Sequence, residues 1–353
     1  MATSGNFVQL HNHTHYSLLD GASKIPDLVK RAKELNMPAV GITDHGNMHG
    51  AYEMWSTAVK EGVKPIIGIE AYVTPETARQ DQTRVSWDTN WNPDIDPQHR
   101  RRNPNDVSGG GLITHLTMWA ETDEGLVNLM KASTDANLEG RVMRYPRMDK
   151  EILAKYSKGI IASSGCPSGI IQTRLLLGQF DEALRAAGEL QDIFGRDNFY
   201  IEFMDHGLKI EKQVTDGLLD IAKKLNAPLL ATNDSHYVRA EDAGSQDAML
   251  CINSGSTLDE PGRFKFDGTG YYLKSAEEMR ELFKDIPEAC DNTLEIAERC
   301  NVMFDDHEDG AFMPQFDCPE GWDETSLFLR KVEEGLEQRY DGHPPIEVLK
   351  QAD

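Results

Sequence analysis

Short apolar segments alternate with longer amphipathic segments along most of this chain of 353 residues. The alternation of a short strand with a helix is typical of parallel sheets and βα barrels. We predict seven strands, at 7–10, 39–43, 65–73, 112–120, 159–165, 199–204 and 228–233. A single helix is predicted from Gly169 to Phe194, because Leu, Ile and Ala recur there at helical spacing. The pattern therefore favours one large α/β barrel or two ordinary domains.

Two regions depart from this alternation. Residues 75–111, after the third predicted strand, are rich in Asp, Asn, Pro, Arg and Gly. They are too long for an ordinary connection, so we interpret them as a functional loop or a disordered one. From about Lys274 onward the sequence is helical and acidic, with no further strand of the same type.

Composition narrows the function classes. The chain has 36 Lys and Arg against 59 Asp and Glu, a formal net charge of -23. This charge argues against an extended nucleic-acid surface, although divalent cations in a carboxylate-rich pocket can still bind phosphate. The five cysteines include no Cys-x-x-Cys pair, so we expect reduced thiols. No signal peptide or long apolar span is evident, and we expect a cytoplasmic protein without a membrane partner.

The first predicted strand ends in three alternating histidines, at positions 11, 13 and 15. Alternate side chains of an extended strand project from the same face, so His11 and His13 could share one metal ion. The alternative is a polar strand end where the histidines only cap the sheet. The pair needs carboxylates from elsewhere in the chain to complete a metal site.

Further metal-ligand residue types occur at or near the ends of other predicted strands, where βα barrels carry their reactive groups. They are Asp20, Asp44, His45, Glu70, His115, Cys166, Asp234 and His236. Any one of them has an ordinary explanation, such as a hydrogen-bonded histidine or a buried cysteine. These groups are costly to bury without partners, however, and they recur in six of the seven strand-helix units. A shared metal cluster would offset that cost.

Several motifs together resemble a known family. The segments HNHTHYSLLDG, TDHGN, GIEAY, THL, GCPSG and NDSHY resemble the PHP (polymerase and histidinol phosphatase) domain of bacterial C-family replicative DNA polymerases. The resemblance extends over nearly the whole chain. It implies a distorted, TIM-like (β/α)7 barrel with a long insertion after strand 3 and a helical C-terminal extension. We expect the barrel domain at 1–286, and at 287–353 a helical connection to a polymerase body that the sequence lacks.

The resemblance also implies a ligand set for up to three divalent metal ions. One ion would bind His11, His13, Glu70 and Asp234, a second would share Glu70 and add His115 and Cys166, and the third would take Asp20, His45 and His236. All nine positions hold a residue that can bind metal. A thiolate ligand favours zinc or iron, while carboxylate-rich shells also admit manganese, and we expect zinc. A complete set favours the active form of the domain, which is similar to a 3′-to-5′ proofreading exonuclease.

Residues near these motifs are assigned other roles. The family motif places no ligand at His15, which we expect at the pocket rim or exposed, and His49 is expected to face solvent. Asp44 and Asn233 should point away from the ligands beside them and orient neighbouring groups. The Asp205–His206 pair could support a ligand or position substrate, but a structural hydrogen bond is an equal alternative.

The insertion contains the sequence PDID at Pro93–Asp96, similar to the paired aspartates of the polymerase active site in this family. We reject that match because Pro97 follows, where the family motif continues with a third aspartate and an aromatic residue. Trp87, Trp91 and the basic run at 99–102 could contact single-stranded DNA. A solvated flexible loop is the favoured interpretation of this segment.

Three function classes remain open at this stage. The leading hypothesis is a metal-dependent exonuclease whose substrate is a single-stranded 3′ end of DNA, with the rest of the polymerase chain and the replisome subunits as partners. The second is an inactive, metal-stabilised scaffold of the polymerase. The third is a phosphoesterase for a small phosphate monoester, against which the long insertion and the polymerase-like tail both count.

Overall fold

A computed structural model describes residues 6–88, 103, 111–304 and 316–352. The chain forms two compact units, residues 1–304 and 305–353. None of the helices in the described ranges combines the length and apolar character that crossing a lipid bilayer requires.

The first unit is built on a single curled sheet. Its strands are β1 (Ala39–Ile42), β2 (Lys64–Val73), β3 (Thr114–Ala120), β4 (Arg147–Met148), β5 (Ile160–Ser163), β6 (Phe199–Phe203) and β7 (Leu229–Ala231). The order along the sheet is β1-β2-β3-β5-β6-β7, and the two-residue β4, which was not predicted, pairs with β2. The other six strands coincide with six of the seven predicted strands within about two residues.

The remaining predicted strand, at 7–10, forms isolated bridges instead of a regular strand. Gln9 bridges to Val40 of β1, and Asn12 bridges to Ser235 just after β7, both in parallel. The Asn12 amide donates to the carbonyl oxygens of Gln9 and Gly41, and its backbone N–H donates to the Thr43 hydroxyl. Hydrogen bonds that involve side chains thus replace part of the backbone hydrogen bonding of a regular strand pair. The segment joins the two sheet edges, which confirms the predicted barrel.

The sheet is not uniformly parallel. β3 is antiparallel to both of its neighbours, β2 and β5, whereas β1-β2, β5-β6 and β6-β7 are parallel. A parallel pair of strands needs a crossover connection, which is usually a helix. The described part of the connection between β2 and β3 contains no helix, in agreement with their antiparallel pairing. The antiparallel β3 is thus an exception to the repeated βα pattern of the sequence and one way in which this barrel is distorted. One consequence is that the N-terminal end of β3 lies at the rim where the parallel strands end.

The α-helices of the first unit pack around the sheet. They are α1 (Ile25–Glu34), α2 (Ala51–Glu61), α3 (Asp123–Glu139), α4 (Lys150–Tyr156), α5 (Ile170–Leu176), α6 (Phe180–Phe194), α7 (Lys209–Leu225), α8 (Ala243–Ser254), α9 (Ala276–Leu282) and α10 (Pro287–Arg299). In α1, for example, Ile25, Leu28, Val29 and Ala32 are buried, the i, i+3, i+4, i+7 stripe of a helix on a core. The predicted helix 169–194 is two helices, α5 and α6, separated by Gly178 at φ +72°.

The inner face of the barrel is layered. At the bottom, apolar side chains from successive strands pack with α10, namely Val8, Leu10, Ala39, Ile66, Trp119, Ile161, Tyr200, Leu230, Ile296, Ala297 and Cys300. Helix α10 is fixed there because the Lys64 ammonium donates to the Glu298 carbonyl and the Asn292 amide donates to the Leu229 carbonyl. It therefore belongs to the first unit, although residues after 286 were assigned to the connection. Polar residues occupy the opposite rim.

The second unit contains α11 (Glu324–Tyr340) and α12 (Ile346–Ala352). Helix α11 begins at Asp323, whose carboxylate accepts from the Ser326 backbone N–H. This capping interaction satisfies a backbone donor at the helix start. Helix α11 has no fully buried residue, so its stability rests on local interactions such as the Arg330–Glu334 ion pair.

Candidate metal centre at the barrel rim

The nine predicted ligands lie together at one rim of the barrel. They come from the segment after residue 10, the ends of β1, β2, β5 and β7, and the start of β3: His11, His13, Asp20, His45, Glu70, His115, Cys166, Asp234 and His236. His115 reaches this rim because β3 is antiparallel, so its first residues stand beside the last residues of β2. In the pairing of these two strands His115 lies opposite Tyr72, which is two residues after Glu70 on β2. His115 and Glu70 are therefore close together at this rim.

Glu70 is the central carboxylate of the cluster and is only 1% exposed. Its Oε1 lies 3.4 Å from His11 Nε2 and 3.1 Å from His115 Nδ1. Its Oε2 lies 2.6 Å from His45 Nδ1 and 3.7 Å from His13 Nε2. Burial raises the pKa of Glu70, but His115 and His45 outweigh it and hold that pKa well below the usual range. Glu70 is therefore ionised and contacts four imidazoles.

Asp234 joins the other side of the cluster. Its Oδ1 lies 2.9 Å from His13 Nε2 and 3.3 Å from His11 Nε2, and its backbone has φ +45°. Burial raises the pKa of Asp234, but His236 and His11 outweigh it and lower it strongly. Burial, with the neighbouring His45 and His236, lowers the pKa of His13 to about 3. His13 is thus a neutral imidazole at physiological pH and has a lone pair available.

The outer members of the cluster lie against these groups. Asp20 Oδ2 is 3.5 Å from His45 Nε2, and the His236 ring stacks on the His13 ring with centroids 4.3 Å apart. Cys166 Sγ lies 3.4 Å from His115 Nδ1. Burial, followed by Glu70 and Asp234, raises the pKa of the Cys166 thiol. The thiol is therefore protonated until a cation offsets the nearby carboxylates.

Many polar atoms of the cluster are buried without a hydrogen-bond partner. They are His11 Nε2, His13 Nε2, His45 Nδ1, Asp20 Oδ1, both Glu70 carboxylate oxygens and Asp234 Oδ1. The close approach of His45 Nδ1 to Glu70 is not aligned as a hydrogen bond. Unpartnered buried polar atoms are rare and costly in native proteins. Because imidazole nitrogens and carboxylate oxygens are common ligands of divalent ions, this donor set fits bound metal.

Three groups within the described residues have ligand atoms within 4.8 Å of one another, a spacing that suits metal binding. They are His13-His45-His236, His11-His13-Glu70 and His45-Glu70-His115. The second lies within the first predicted ligand set. His13-His45-His236 combines residues of the first and third predicted sets, and His45-Glu70-His115 combines residues of all three. The sets mix because His45 contacts both Glu70 and His13. The assignment of ligands to individual ions remains a prediction.

Comparison with known proteins identifies the family. The model of the PHP domain matches residues 9–206, which include seven of the nine clustered residues. The chain belongs to the PHP domain family. It is 50% identical over 345 residues to the DNA polymerase III subunit alpha of Mycobacterium tuberculosis, covering 98% of this chain and 28% of that protein. The subunit from Saccharopolyspora erythraea is 52% identical over 335 residues, with 95% of this chain and 28% of that protein covered.

The chain thus spans a little over a quarter of the length of these curated relatives. Among solved structures, a metal-dependent phosphoesterase from Bifidobacterium adolescentis superposes with a TM-score of 0.38 at 16% identity. That superposition covers 79% of this chain and 96% of the other.

Within this PHP domain, hydrogen bonds fix which nitrogen of His11, His13 and His236 faces the cluster. The His11 Nδ1–H donates to Glu202 Oε1 at 2.8 Å, and the His236 Nδ1–H donates to the Asp234 carbonyl oxygen at 2.7 Å. His13 Nδ1 lies 3.1 Å from the Ser17 hydroxyl, which itself donates to Asp44 at 2.7 Å. In each case Nε2 is the nitrogen that faces a ligand position, a common arrangement around metal sites.

Glu202 was missed by the sequence analysis. It lies in the middle of β6 and is buried, where it also accepts from the hydroxyls of Ser163 and Thr232. Its signal in the sequence is weak but present: it is the single charged residue of the apolar segment FYIEF. The expectation that Asp44 orients its neighbours agrees with its hydrogen bonds from Thr14 and Ser17.

The other residues near the motifs, which were not predicted as ligands, lie outside the cluster. His15 and His49 are exposed, as expected. The His206 ring contacts Glu211 Oε1 at 2.6 Å through Nδ1 and the Asn233 carbonyl oxygen at 2.8 Å through Nε2. Asp205 accepts from the Gly207 backbone N–H. These contacts favour the structural alternative for the Asp205–His206 pair.

The insertion is described only in part. Trp87 is 7% exposed, and the Arg174 guanidinium lies over its ring at 4.2 Å. The less favoured alternative, in which Trp87 stacks on DNA, does not agree with this structure because the ring is already covered. Trp91, the PDID segment at Pro93–Asp96 and the basic run at 99–102 lie outside the described residues.

Proposed function

We propose that this PHP domain is a metal-dependent phosphodiester hydrolase, and that within a DNA polymerase it is the 3′-to-5′ exonuclease that removes mispaired nucleotides. The observation that carries the proposal is the cluster of buried imidazole, carboxylate and thiol groups with unpartnered ligand atoms. All nine positions retain a residue able to bind metal. A barrel that bound no metal would have no need to keep so costly a polar cluster.

Divalent ions in such a site lower the pKa of water and neutralise charge on the oxygens of a reacting phosphodiester. The residues of the chain supply the geometry. Glu70 contacts four histidines and would fix their separation, while Asp234 would hold His11 and His13 together. Cys166 and His115 would select a softer ion, so we propose zinc, with iron and manganese as alternatives. Hydrolysis then needs no nucleophilic side chain.

The proposed substrate is the single-stranded 3′ end of DNA, and the proposed partners are the remainder of a polymerase chain and the replisome subunits. Support comes from the names of the relatives, which are subunits of DNA polymerase III. The polarity of digestion rests on the family resemblance. We expect the protein to act in the cytoplasm, where bacterial DNA is copied.

A metal analysis coupled to digestion of a labelled primer tests the proposal. His13→Ala and Asp234→Ala should lose bound metal and primer trimming together. His15→Ala is the matched control, because His15 lies two residues from His13 but is exposed and outside the cluster. It should retain both metal and trimming. Trimming that survives in both cluster variants would show that the mechanism is wrong.

Two other outcomes would support the alternatives. If chelation lowers the melting temperature but the metal-loaded wild type never trims DNA, the domain is a metal-stabilised scaffold. If the wild type hydrolyses histidinol phosphate much faster than a primer with a mismatched 3′ end, it is a small-molecule phosphoesterase.

A further inference from the structure

A cleft leads from the metal centre to the surface of the first unit. Its volume is about 210 Å³, and Asp20, His45 and Tyr72 form its inner wall. Arg141 and Arg144, in the segment between α3 and β4, line the same cleft. A molecule bound in the cleft could therefore touch predicted metal ligands and both guanidinium groups at once.

The two arginines differ from most arginines of this acidic chain. Among the described residues, carboxylates pair with many of the others: Arg79, Arg174, Arg185, Arg239, Arg263, Arg280 and Arg299. Within the same described ranges, no carboxylate lies within ion-pair distance of Arg141 or Arg144. Two unneutralised guanidinium groups beside a predicted metal centre, in a chain of net charge -23, indicate an anion site.

Neighbouring groups hold Arg144 at the cleft. Its Nη1 donates to Asn253 Oδ1 at 2.8 Å, and its guanidinium lies 5.3 Å from the centre of the Tyr145 ring. Asn253 in turn donates to the Leu19 carbonyl at 3.3 Å, which connects the wall to the loop that carries Asp20. Arg144 is thus oriented by neutral partners, and its remaining N–H groups are available to phosphate oxygens.

We propose that Arg141 and Arg144 bind a backbone phosphate of a single-stranded nucleic acid whose neighbouring phosphodiester lies at the metal centre. This inference rests on the proposed function and adds the residues that bind the strand beside the reacting phosphodiester. A small phosphate monoester has only one phosphate, so it cannot place one phosphate at the metal centre and a second against the arginines. A polynucleotide has a phosphate at every residue and can occupy both, which gives the two arginines a role in binding a strand.

The test compares two substrates in the metal-loaded full chain: a fluorescent 12-residue oligonucleotide and bis(p-nitrophenyl) phosphate, which has a single phosphodiester. The double variant Arg141→Ala/Arg144→Ala should lose at least tenfold more kcat/KM for the oligonucleotide than for the small diester. Each phosphate contact on a single strand contributes about 0.7 to the slope of log affinity against log salt. The salt dependence of oligonucleotide binding, measured by fluorescence anisotropy, should therefore become shallower by about 0.7, because the two arginines together would neutralise one phosphate.

Arg196→Ala/Lys223→Ala is the charge-matched control, because both residues are exposed and precede β6 and β7, at the end of the barrel opposite the metal centre. It should leave the salt slope and both activities unchanged. Equal losses on both substrates, or a wild-type salt slope in the double variant, would overturn the proposal. If the wild type cleaves neither substrate, the proposed function fails, yet the anisotropy measurement still decides whether the arginines bind the strand. DNA and RNA oligonucleotides of one sequence identify the preferred strand.

Discussion

Replacing Glu202 with glutamine tests whether a buried carboxylate outside the predicted ligand set controls metal binding. Glutamine has nearly the same shape, so the substitution removes the negative charge with little change in packing. Glu202 accepts from His11 Nδ1 at 2.8 Å, from Thr232 at 2.5 Å and from Ser163. In the variant, His11 would face a neutral amide oxygen, and its other nitrogen would be a weaker ligand.

The size of the effect follows from the change in the hydrogen bond. A bond to a charged group contributes about 1.5–3 kcal/mol, and a neutral one about 0.5–1.5 kcal/mol. The difference is about 1–1.5 kcal/mol, which corresponds to about tenfold weaker metal binding. This value lies at the lower end of the ~10–100-fold losses typical when a residue supporting a metal ligand is changed.

Competition with a chromogenic chelator measures the affinity. Glu211→Gln is the matched control, since Glu211 is also a buried carboxylate and pairs with a histidine at 2.6 Å, but this histidine, His206, is not one of the nine predicted ligands. It should bind metal like the wild type. In a His11→Ala background, Glu202→Gln should have no further effect on affinity. The reasoning is refuted if Glu202→Gln binds metal as tightly as the wild type, or if both glutamine variants weaken binding equally.

Three further predictions concern pH, metal removal and the anchoring of the insertion. Burial lowers the pKa of His11 and His45, but nearby carboxylates and Tyr72 raise it above the ordinary value. Metal must therefore displace protons from these histidines near neutral pH. Metal affinity should rise about tenfold per pH unit for each proton displaced, and chelator competition at pH 6, 7 and 8 would measure this rise. Chelation should lower the melting temperature, because metal at a thousand times its dissociation constant stabilises the folded state by about 4 kcal/mol; calorimetry showing no shift would contradict binding to the folded state. Arg147→Met should destabilise the domain by about 2–4 kcal/mol and expose residues 79–81 to protease. The reason is that the buried guanidinium donates to four backbone carbonyl oxygens, those of Arg79, Asp81, Leu112 and Gly140. Urea unfolding measures the loss of stability, and limited proteolysis measures the exposure.

The barrel could be predicted because its strands are short, apolar and separated by amphipathic helices. Burial on both faces selects such strands, and the pattern survives in the sequence even where boundaries shift by a residue or two. The antiparallel direction of β3 could not be predicted in this way. A strand has the same period of two in either direction, so its direction is decided by the connection that leads into it.

The break between α5 and α6 was also missed, although Gly178 was visible in the sequence. A single glycine inside a helical pattern is often tolerated, and its positive φ is a property of the folded chain. Glu202 was missed for a related reason. A charged residue inside an apolar strand gains its role only when a partner, here His11, arrives from a distant segment.

The sequence by itself determined which chemistry is available, since it fixes the imidazoles, carboxylates and thiol and places them beside short apolar strands. The tertiary structure alone decided that Glu70 contacts four histidines, that His115 reaches the rim from the start of an antiparallel strand, and that Arg141 and Arg144 line a cleft with Asp20. The physical reason is range. Spacing along the chain sets the face of a local element, whereas distances between remote side chains depend on how the whole sheet curls and closes.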